Sequence, residues 1–455
     1  MKPFPNIRVN PCSSAVLFLV TTSLVFAAEP LPLSTSYWKD PAFLRSFNGS
    51  YRIEARIEPS VTTEERGLLV EIQTLMAAGK RNAALERLST SPLTKNSAAL
   101  TFNLGNLHFE TGDIEKAIEA YQSALNAYPS FRRAHQNLAL ALVRGNKLPE
   151  ALTHLTEAIR LGDSSGSTYG LLGYCRLARE EYASALQAYR LAQVTEPDVP
   201  EWSAGIAQCL QYLDQKQEAV ALLDEVIRKR PLESSYSVLQ ANILLELSNP
   251  EAAVKALELP HRLGLLDPDA TLLLADLHLR ADRSEAAAKT VAAAFSGEKK
   301  PGEPAILRII STASSQSDWP LVKDLFEKAK QEKPTRPLRL ATARYLIASG
   351  ENPAAGAEEL AKLLQEDPTD GQTLLALAKH QATSGQPDSA QLLLERAATD
   401  PATAYEAHIE LARLHVSQSR YADALKAIDS ALALNPTEDL RTYREALHNT
   451  LSASE

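Results

Sequence analysis

The chain has 455 residues, of which 45 % are hydrophobic, 6 % aromatic and 23 % charged, and its formal net charge is −9. An acidic balance of this kind gives no general attraction to nucleic acid or anionic lipid. Glycine is sparse at 18 residues while Ala, Leu, Glu, Lys and Arg abound, which favours helix over strand and puts small side chains where helices meet.

In chain order, the first element is an export leader. Lys2 and Arg8 precede an apolar run from Ala15 to Ala28, and Val25-Phe26-Ala27 stands before Glu29 and Pro30 in the manner of a signal-peptidase site. The run falls short of the roughly 20 apolar residues a membrane span needs. Residues 1–28 are therefore expected to be removed on secretion across the inner membrane of a bacterium, leaving the protein in the periplasm with no membrane span. Loss of Lys2 and Arg8 takes 47 basic residues to 45 against 56 acidic ones, a net charge of −11. Cys12 precedes the apolar run, so it is not the acylated cysteine of a lipoprotein; Cys175 and Cys209 remain.

Residues 29–62 form an extension rich in aromatics: Tyr37, Trp38, Phe43, Phe47 and Tyr51. Large aromatic side chains clustered in this way are expected to be buried against something. Two readings stand: a cap folded onto the elements that follow, or a docking segment for a partner built on Trp38, Phe43, Phe47 and Tyr51. Residues 63–97 then read as a degenerate helix pair, with helical pattern over Thr63–Ser89.

From Ala98 a repeat governs the chain. Ala117, Ala151, Ala185, Ala219, Ala253 and Ala287 are each 34 residues apart, as are Ala390 and Ala424. A second register holds Gly105, Ala139, Gly173, Ala207, Ala241, Ala275, Ala378 and Ala412. A third holds Ala124, Ala158, Ala192, Ala294, Ala329, Ala397 and Ala431. Prolines close several units at Pro129, Pro197, Pro231, Pro334, Pro368 and Pro436. One unit shows the physics. Ala98 to Thr111 carries apolar residues at helical spacing, Gly112-Asp113 breaks it, and Ile114 to Ala127 forms a second amphipathic helix that Tyr128-Pro129 stops. Such a pair cannot cover its own apolar face, so the next pair must stack on it.

Ten units begin at Ala98, Arg132, Gly166, Pro200, Ser234, Pro268, Glu303, Pro337, Gly371 and Tyr405. Residues 98–296 hold units one to six and 304–436 units seven to ten. The Gly/Pro/charged segment 297–303 is a candidate hinge, and residues 437–455 are a C-terminal capping helix. Pro260 falls inside a predicted helix. Val322 and Arg344 stand where small residues are expected, so units five to eight are the least regular.

The period, the small-residue columns, the aromatic at Tyr121 or Tyr189 and the closing proline resemble the tetratricopeptide repeat. The resemblance implies an all-α, right-handed superhelical solenoid of about ten helix pairs with terminal capping helices. It also implies a concave groove, lined by the first helices, that binds proteins or peptides. By matching columns, that groove carries Phe102, Asn103, Asn106, Phe109, Arg133, Gln136, Asn137, Leu140, Tyr174, Leu177, Gln208, Gln211, Tyr212 and Asn242. The amides of Asn103, Asn106 and Asn137 suit a ligand backbone, since an amide both donates and accepts. The carboxylate-clamp form of the groove needs basic residues, and Phe102, Ser167 and Leu171 stand at three of those positions.

The extension has a resemblance of its own. Trp38, Pro41, Phe43, Ser46-Phe47, Gly49-Ser50-Tyr51 and Glu58-Pro59 resemble the leader of periplasmic repeat proteins that accompany TonB–ExbB–ExbD transport systems, although Arg52 departs from that pattern. It implies a scaffold serving a TonB-type outer-membrane system. A scaffold for exopolysaccharide or cell-envelope assembly is the alternative reading.

Chemistry is not expected. His108, His278 and His415 share one repeat column and His135 and His408 another, so they line up along a stack instead of converging on a metal. Cys175 and Cys209 occupy equivalent positions on neighbouring helices, whose axes lie about 8–10 Å apart, whereas a disulfide needs Cα atoms within about 6.8 Å. Both are expected as free, buried thiols. No nucleophile motif or phosphate-cradling loop occurs. The reading is a non-enzyme without cofactor or metal, and an enzyme with an unrecognised site is the alternative of another class.

Overall fold

A computed structural model describes residues 30, 31, 33, 37, 38, 58–330 and 333–454. Among these the chain forms 23 α-helices and one short 3-10 turn, with no strand. The leader, and Phe43, Phe47 and Tyr51 of the extension, lie outside the described residues.

The described residues from Pro30 to Leu266 belong to one compact unit. It begins with the pair α1 (Thr63–Ala77) and α2 (Arg81–Ser89), then α3 (Ala98–Thr111) and α4 (Ile114–Ala127), α5 (Arg132–Arg144) and α6 (Leu148–Arg160), α7 (Gly166–Leu177) and α8 (Tyr182–Thr195), α9 (Pro200–Tyr212) and α10 (Lys216–Lys229), and α11 (Ser234–Glu246) and α12 (Pro250–Arg262). Throughout this unit each second helix packs on the first helix of the next pair.

Asp267 onward forms the other unit: α13 (Pro268–Arg280) and α14 (Ser284–Ala294), α15 (Glu303–Ser315) and α16 (Trp319–Lys328), α17 (Arg336–Ala348) and α18 (Pro353–Glu366), α19 (Gly371–Thr383) and α20 (Pro387–Ala397), α21 (Ala404–Ser417) and α22 (Tyr421–Leu434), and the closing α23 (Glu438–Ser454). The segment at 297–303 lies inside this unit. There Lys300 Nζ donates to the carbonyls of Phe295 (2.8 Å) and Gly297 (3.0 Å), and Gly302 N–H donates to Asp269 Oδ1 (2.6 Å). The first helices α13 and α15 pack directly on one another across it.

Small residues explain the stacking. Ala117, Ala151, Ala185, Ala219, Ala253, Ala287, Ala390 and Ala424 are all wholly buried. In the first unit a close approach is made to an aromatic ring. A Cβ added at Gly173 would lie 2.8 Å from Tyr189 Cγ, and one at Gly205 2.4 Å from Tyr189 Cζ, so the Tyr189 ring is held between α7 and α9 at two glycines. Arg344 is tolerated at its small-residue position because its guanidinium leaves the contact: Nη2 donates to Gln372 O (3.0 Å) and Oε1 (2.7 Å). Burial pulls it below its ordinary basicity, with Glu406 and Asp370 opposing. Pro260 sits inside α12, near its end.

The turns inside the pairs share one device. Gly112 (φ 88°), Asn146 (57°), Glu180 (62°), Asp214 (62°), Ser248 (56°) and Asp282 (55°) are all left-handed, again at the repeat spacing. Each lets the chain close the first helix with a returning amide, as Lys147 N–H donates to Leu142 O (2.8 Å) and Glu181 N–H to Arg176 O (3.0 Å).

A candidate peptide-binding face

The first helices α3, α5, α7, α9 and α11 present one face of the first unit, and every groove residue named above lies on them. The face divides by burial. Phe102, Phe109, Leu140 and Leu177 are core side chains, none more than 4 % exposed. Phe102 meets the rings of Tyr121 (5.7 Å) and Phe131 (4.8 Å).

The asparagines are engaged within the chain. Asn103 Nδ2 donates to Ala99 O (2.7 Å). Asn106 Oδ1 accepts from Tyr121 Oη (2.8 Å) and from Asn137 Nδ2 (2.9 Å), tying α3, α4 and α5 together. Asn103 and Asn137 are buried. These amides hold the repeat, and sequence columns alone could not tell that role from ligand contact.

Further along, the polar groups are more open. Gln136 Nε2 donates to Ser165 Oγ (3.1 Å), and Gln211 Nε2 to Glu246 Oε1 (2.5 Å). Tyr174 is half-buried and Asn242 exposed. Tyr212 is 43 % exposed and stacks on Tyr182 with centroids 4.6 Å apart.

The described part of the extension lies on this same face. Leu31 N–H donates to Gln208 Oε1 (2.8 Å). Tyr37 is buried, edge-on to Trp38 (5.2 Å) and to Trp202 of α9 (5.4 Å). The Arg144 guanidinium lies between two rings, 6.0 Å from Trp38 and 5.0 Å from Phe109. Arg133 pairs with the buried carboxylate of Glu58 and lies 5.5 Å above Phe102. Leu31, Leu33 and Trp38 join the apolar cluster that contains Trp202, Leu177 and Ile206.

Trp202 is the anchor the repeat pattern did not single out. It is fully buried, and a Cβ at Gly170 would fall 2.4 Å from its ring. The signal was present in three glycines on one helix, Gly166, Gly170 and Gly173, an unusual cost for α7 unless large neighbours need the room.

No catalytic arrangement emerges among the described residues. Among the described residues no group of three or more His, Cys, Asp or Glu is placed to hold a metal ion. Cys175 and Cys209 are free and buried, and burial pushes both thiols up to about 12. His135 and His154 meet at Nδ1···Nδ1 2.9 Å, while His135 Nε2 lies 2.9 Å from Pro129 O. The carbonyl can only accept, so His135 Nε2 is the donor in that bond. This pair joins α5 to α6. An open cleft of about 240 Å³ between α6, α7 and α8, lined by Ile159, Tyr169, Leu172, Arg176 and Leu191 among others, holds one charged side chain, Arg176. No described helix is long and apolar enough to cross a membrane.

Stacked antiparallel helix pairs, with small residues at most crossings and a first-helix face, define an α-helical repeat protein. A tetratricopeptide-repeat family model matches residues 136–200, 205–259 and 375–439, and a second such model matches 105–145. Residues 105–200, 205–259 and 375–439 thus carry tetratricopeptide repeats. No curated protein sequence matches it at a significant level. Among solved structures it is similar to yeast Tom70, at 15 % identity over 85 % of this chain and 96 % of that one, with a TM-score of 0.42. It is also similar to a tetratricopeptide repeat protein from Parabacteroides merdae, at 16 % identity over 58 % and 97 %, with a TM-score of 0.41. YrrB, described as a repeat protein with an unusual peptide-binding site, is 22 % identical over 36 % and 85 %, with a TM-score of 0.34.

Proposed function

We propose that this chain is an exported, non-catalytic scaffold that binds a protein or peptide through its first-helix faces, as an accessory of a TonB-type outer-membrane transport system in the bacterial periplasm. The observation that carries the binding role is the first-helix face itself, where Tyr212 and Asn242 are exposed and Gln211 is half-buried. Export and the TonB-type assignment are supported by the leader and by the wording of residues 38–59.

The test is capture from envelope extract by the mature chain beside a Tyr212→Ala/Asn242→Ala variant. These side chains are exposed, so their removal leaves the core intact. Loss of a bound TonB-system component in the variant, with helical circular dichroism unchanged, supports the reading. Equal capture by both moves the site off this face, and glycosyltransferases in place of transport components replace the TonB-type assignment by envelope assembly.

A further inference from the structure

Leu31, Leu33, Tyr37 and Trp38 of the chain's own extension lie against the first helices of the first unit, and their contacts have the features of a ligand. Three kinds of contact recur at peptide-binding sites: a main-chain group held by a side-chain amide, an aromatic anchor in a pocket, and a charge over a ring. All three are present between the extension and the first helices. Gln208 holds the amide of Leu31, Tyr37 is seated against Trp202, and Arg144 lies over Trp38. The three receiving side chains come from α5 and α9, which belong to different repeat units. A cap that merely covered the end of the stack would pack on its terminal pair, and here the contacts reach the fourth repeat unit.

Resting on the reading of this face as the binding face, we propose that the groove over α5–α9 is occupied in cis by Leu31, Leu33, Tyr37 and Trp38. A partner enters it by displacing that segment with an extended peptide of the same chemistry: aliphatic residues followed by an aromatic pair, with a free main-chain N–H for Gln208. A tethered occupant competes at an effective concentration set by its linker, on the order of millimolar. Weak peptides are thereby excluded while the face stays covered. An apolar groove that would otherwise stand open in the periplasm is shielded until the proper partner arrives.

The probe is a fluorescein-labelled peptide of residues 29–40, titrated by anisotropy into the full mature chain, into Tyr37→Ala/Trp38→Ala, and into that variant carrying Arg144→Ala/Gln208→Ala as well. The opened variant is expected to bind the peptide at least about tenfold tighter than the unsubstituted chain, because the tethered competitor is gone. The added groove substitutions are expected to weaken that binding by roughly tenfold, the worth of a main-chain hydrogen bond and a cation–π contact together. Equal affinity of the unsubstituted and opened chains, or no effect of the groove substitutions, overturns the proposal. A measurement on the unsubstituted chain guards against unfolded variants. Hydrogen exchange at Leu31 should be slow and should quicken when unlabelled peptide is added in excess; exchange as fast as in the free peptide overturns the closure. Envelope capture separates the two ideas. A partner taken equally by the closed and opened chains leaves the scaffold reading standing and removes the cis closure, whereas tight peptide binding without any envelope partner does the reverse.

Discussion

At the scale of the residue, the glycines of α7 and α9 matter because of what faces them. Replacing Gly by Ala inside an exposed helix gains about 1 kcal/mol of helix propensity. At Gly205 the new methyl would stand 2.4 Å from Tyr189 Cζ, and that ring is also held by Gly173 on its other side. Neither neighbour can withdraw, since Tyr189 is buried between two helices. Overpacking of this kind costs about 1–3 kcal/mol, so the clash outweighs the propensity. Gly205→Ala should therefore lower the urea midpoint, while Gly67→Ala, whose Cβ meets nothing within 4 Å, should raise it or leave it unchanged. A raised midpoint for Gly205→Ala would mean that α9 slides away from Tyr189 at little cost.

The helix pair is the scale at which the sequence speaks most clearly. The first helices α3, α5, α7, α9, α11, α13, α15 and α19 begin at the residues where the spacing starts a unit, and α17 and α21 begin one residue earlier. The legibility has a physical source: a buried small residue such as Ala151 or Ala219 stands at most crossings, so the period is written in residues that cannot vary freely. The left-handed turn column is not legible in the sequence, because Glu180, Asp214 and Ser248 do not have the composition of a glycine turn; only Gly112 and Asn146 are of residue types that take that conformation readily. The face was partly legible for a different reason. A column fixes where Asn106 or Asn137 stands, but the same amide serves a ligand backbone or Tyr121 Oη equally well. That Leu31 and Tyr37 cover Gln208 and Trp202 is a long-range contact with no local pattern behind it. The turn column carries its own prediction. A non-glycine residue in the left-handed region costs roughly 1–2 kcal/mol, and glycine's extra unfolded-state freedom costs roughly 0.5–1 kcal/mol. Glu180→Gly should therefore stabilise the α7–α8 pair by about 0.5–1 kcal/mol, read as a higher urea midpoint; a lower midpoint would show that Glu180 contributes through its charge.

At the scale of the whole molecule, acid is the condition that reaches both compact units. Burial, the largest cause in each case, pulls His108 and His154 in the first unit and His408 and His415 in the second below their ordinary value of 6.5. For His154 the neighbouring His135 adds to the depression, and Glu150 and Glu157 oppose it. The sign follows from proton counting. As pH falls below about 6.5, the unfolded chain takes up protons that the folded chain still refuses, so folding is progressively disfavoured until the folded histidines titrate in turn. Carboxylates act in a lower window: Glu65, Glu157 and Asp370 are held below their ordinary values of 4.5, 4.5 and 3.8, and their stabilisation is lost only as pH falls through that range. Between pH 7 and 5 the histidines therefore decide. In a linear stack, stability is a sum of local and nearest-neighbour terms, so the loss should be seen separately in each unit and not as one global event. Amide exchange resolved by segment should quicken, at matched intrinsic rate, in α5–α6 and in α21–α22 on going from pH 7 to 5. Substituting His154→Gln should remove the acid response of α5–α6 while leaving that of α21–α22 in place. An identical change in both segments would mean that the two units open together, and that the nearest-neighbour description of the stack is wrong.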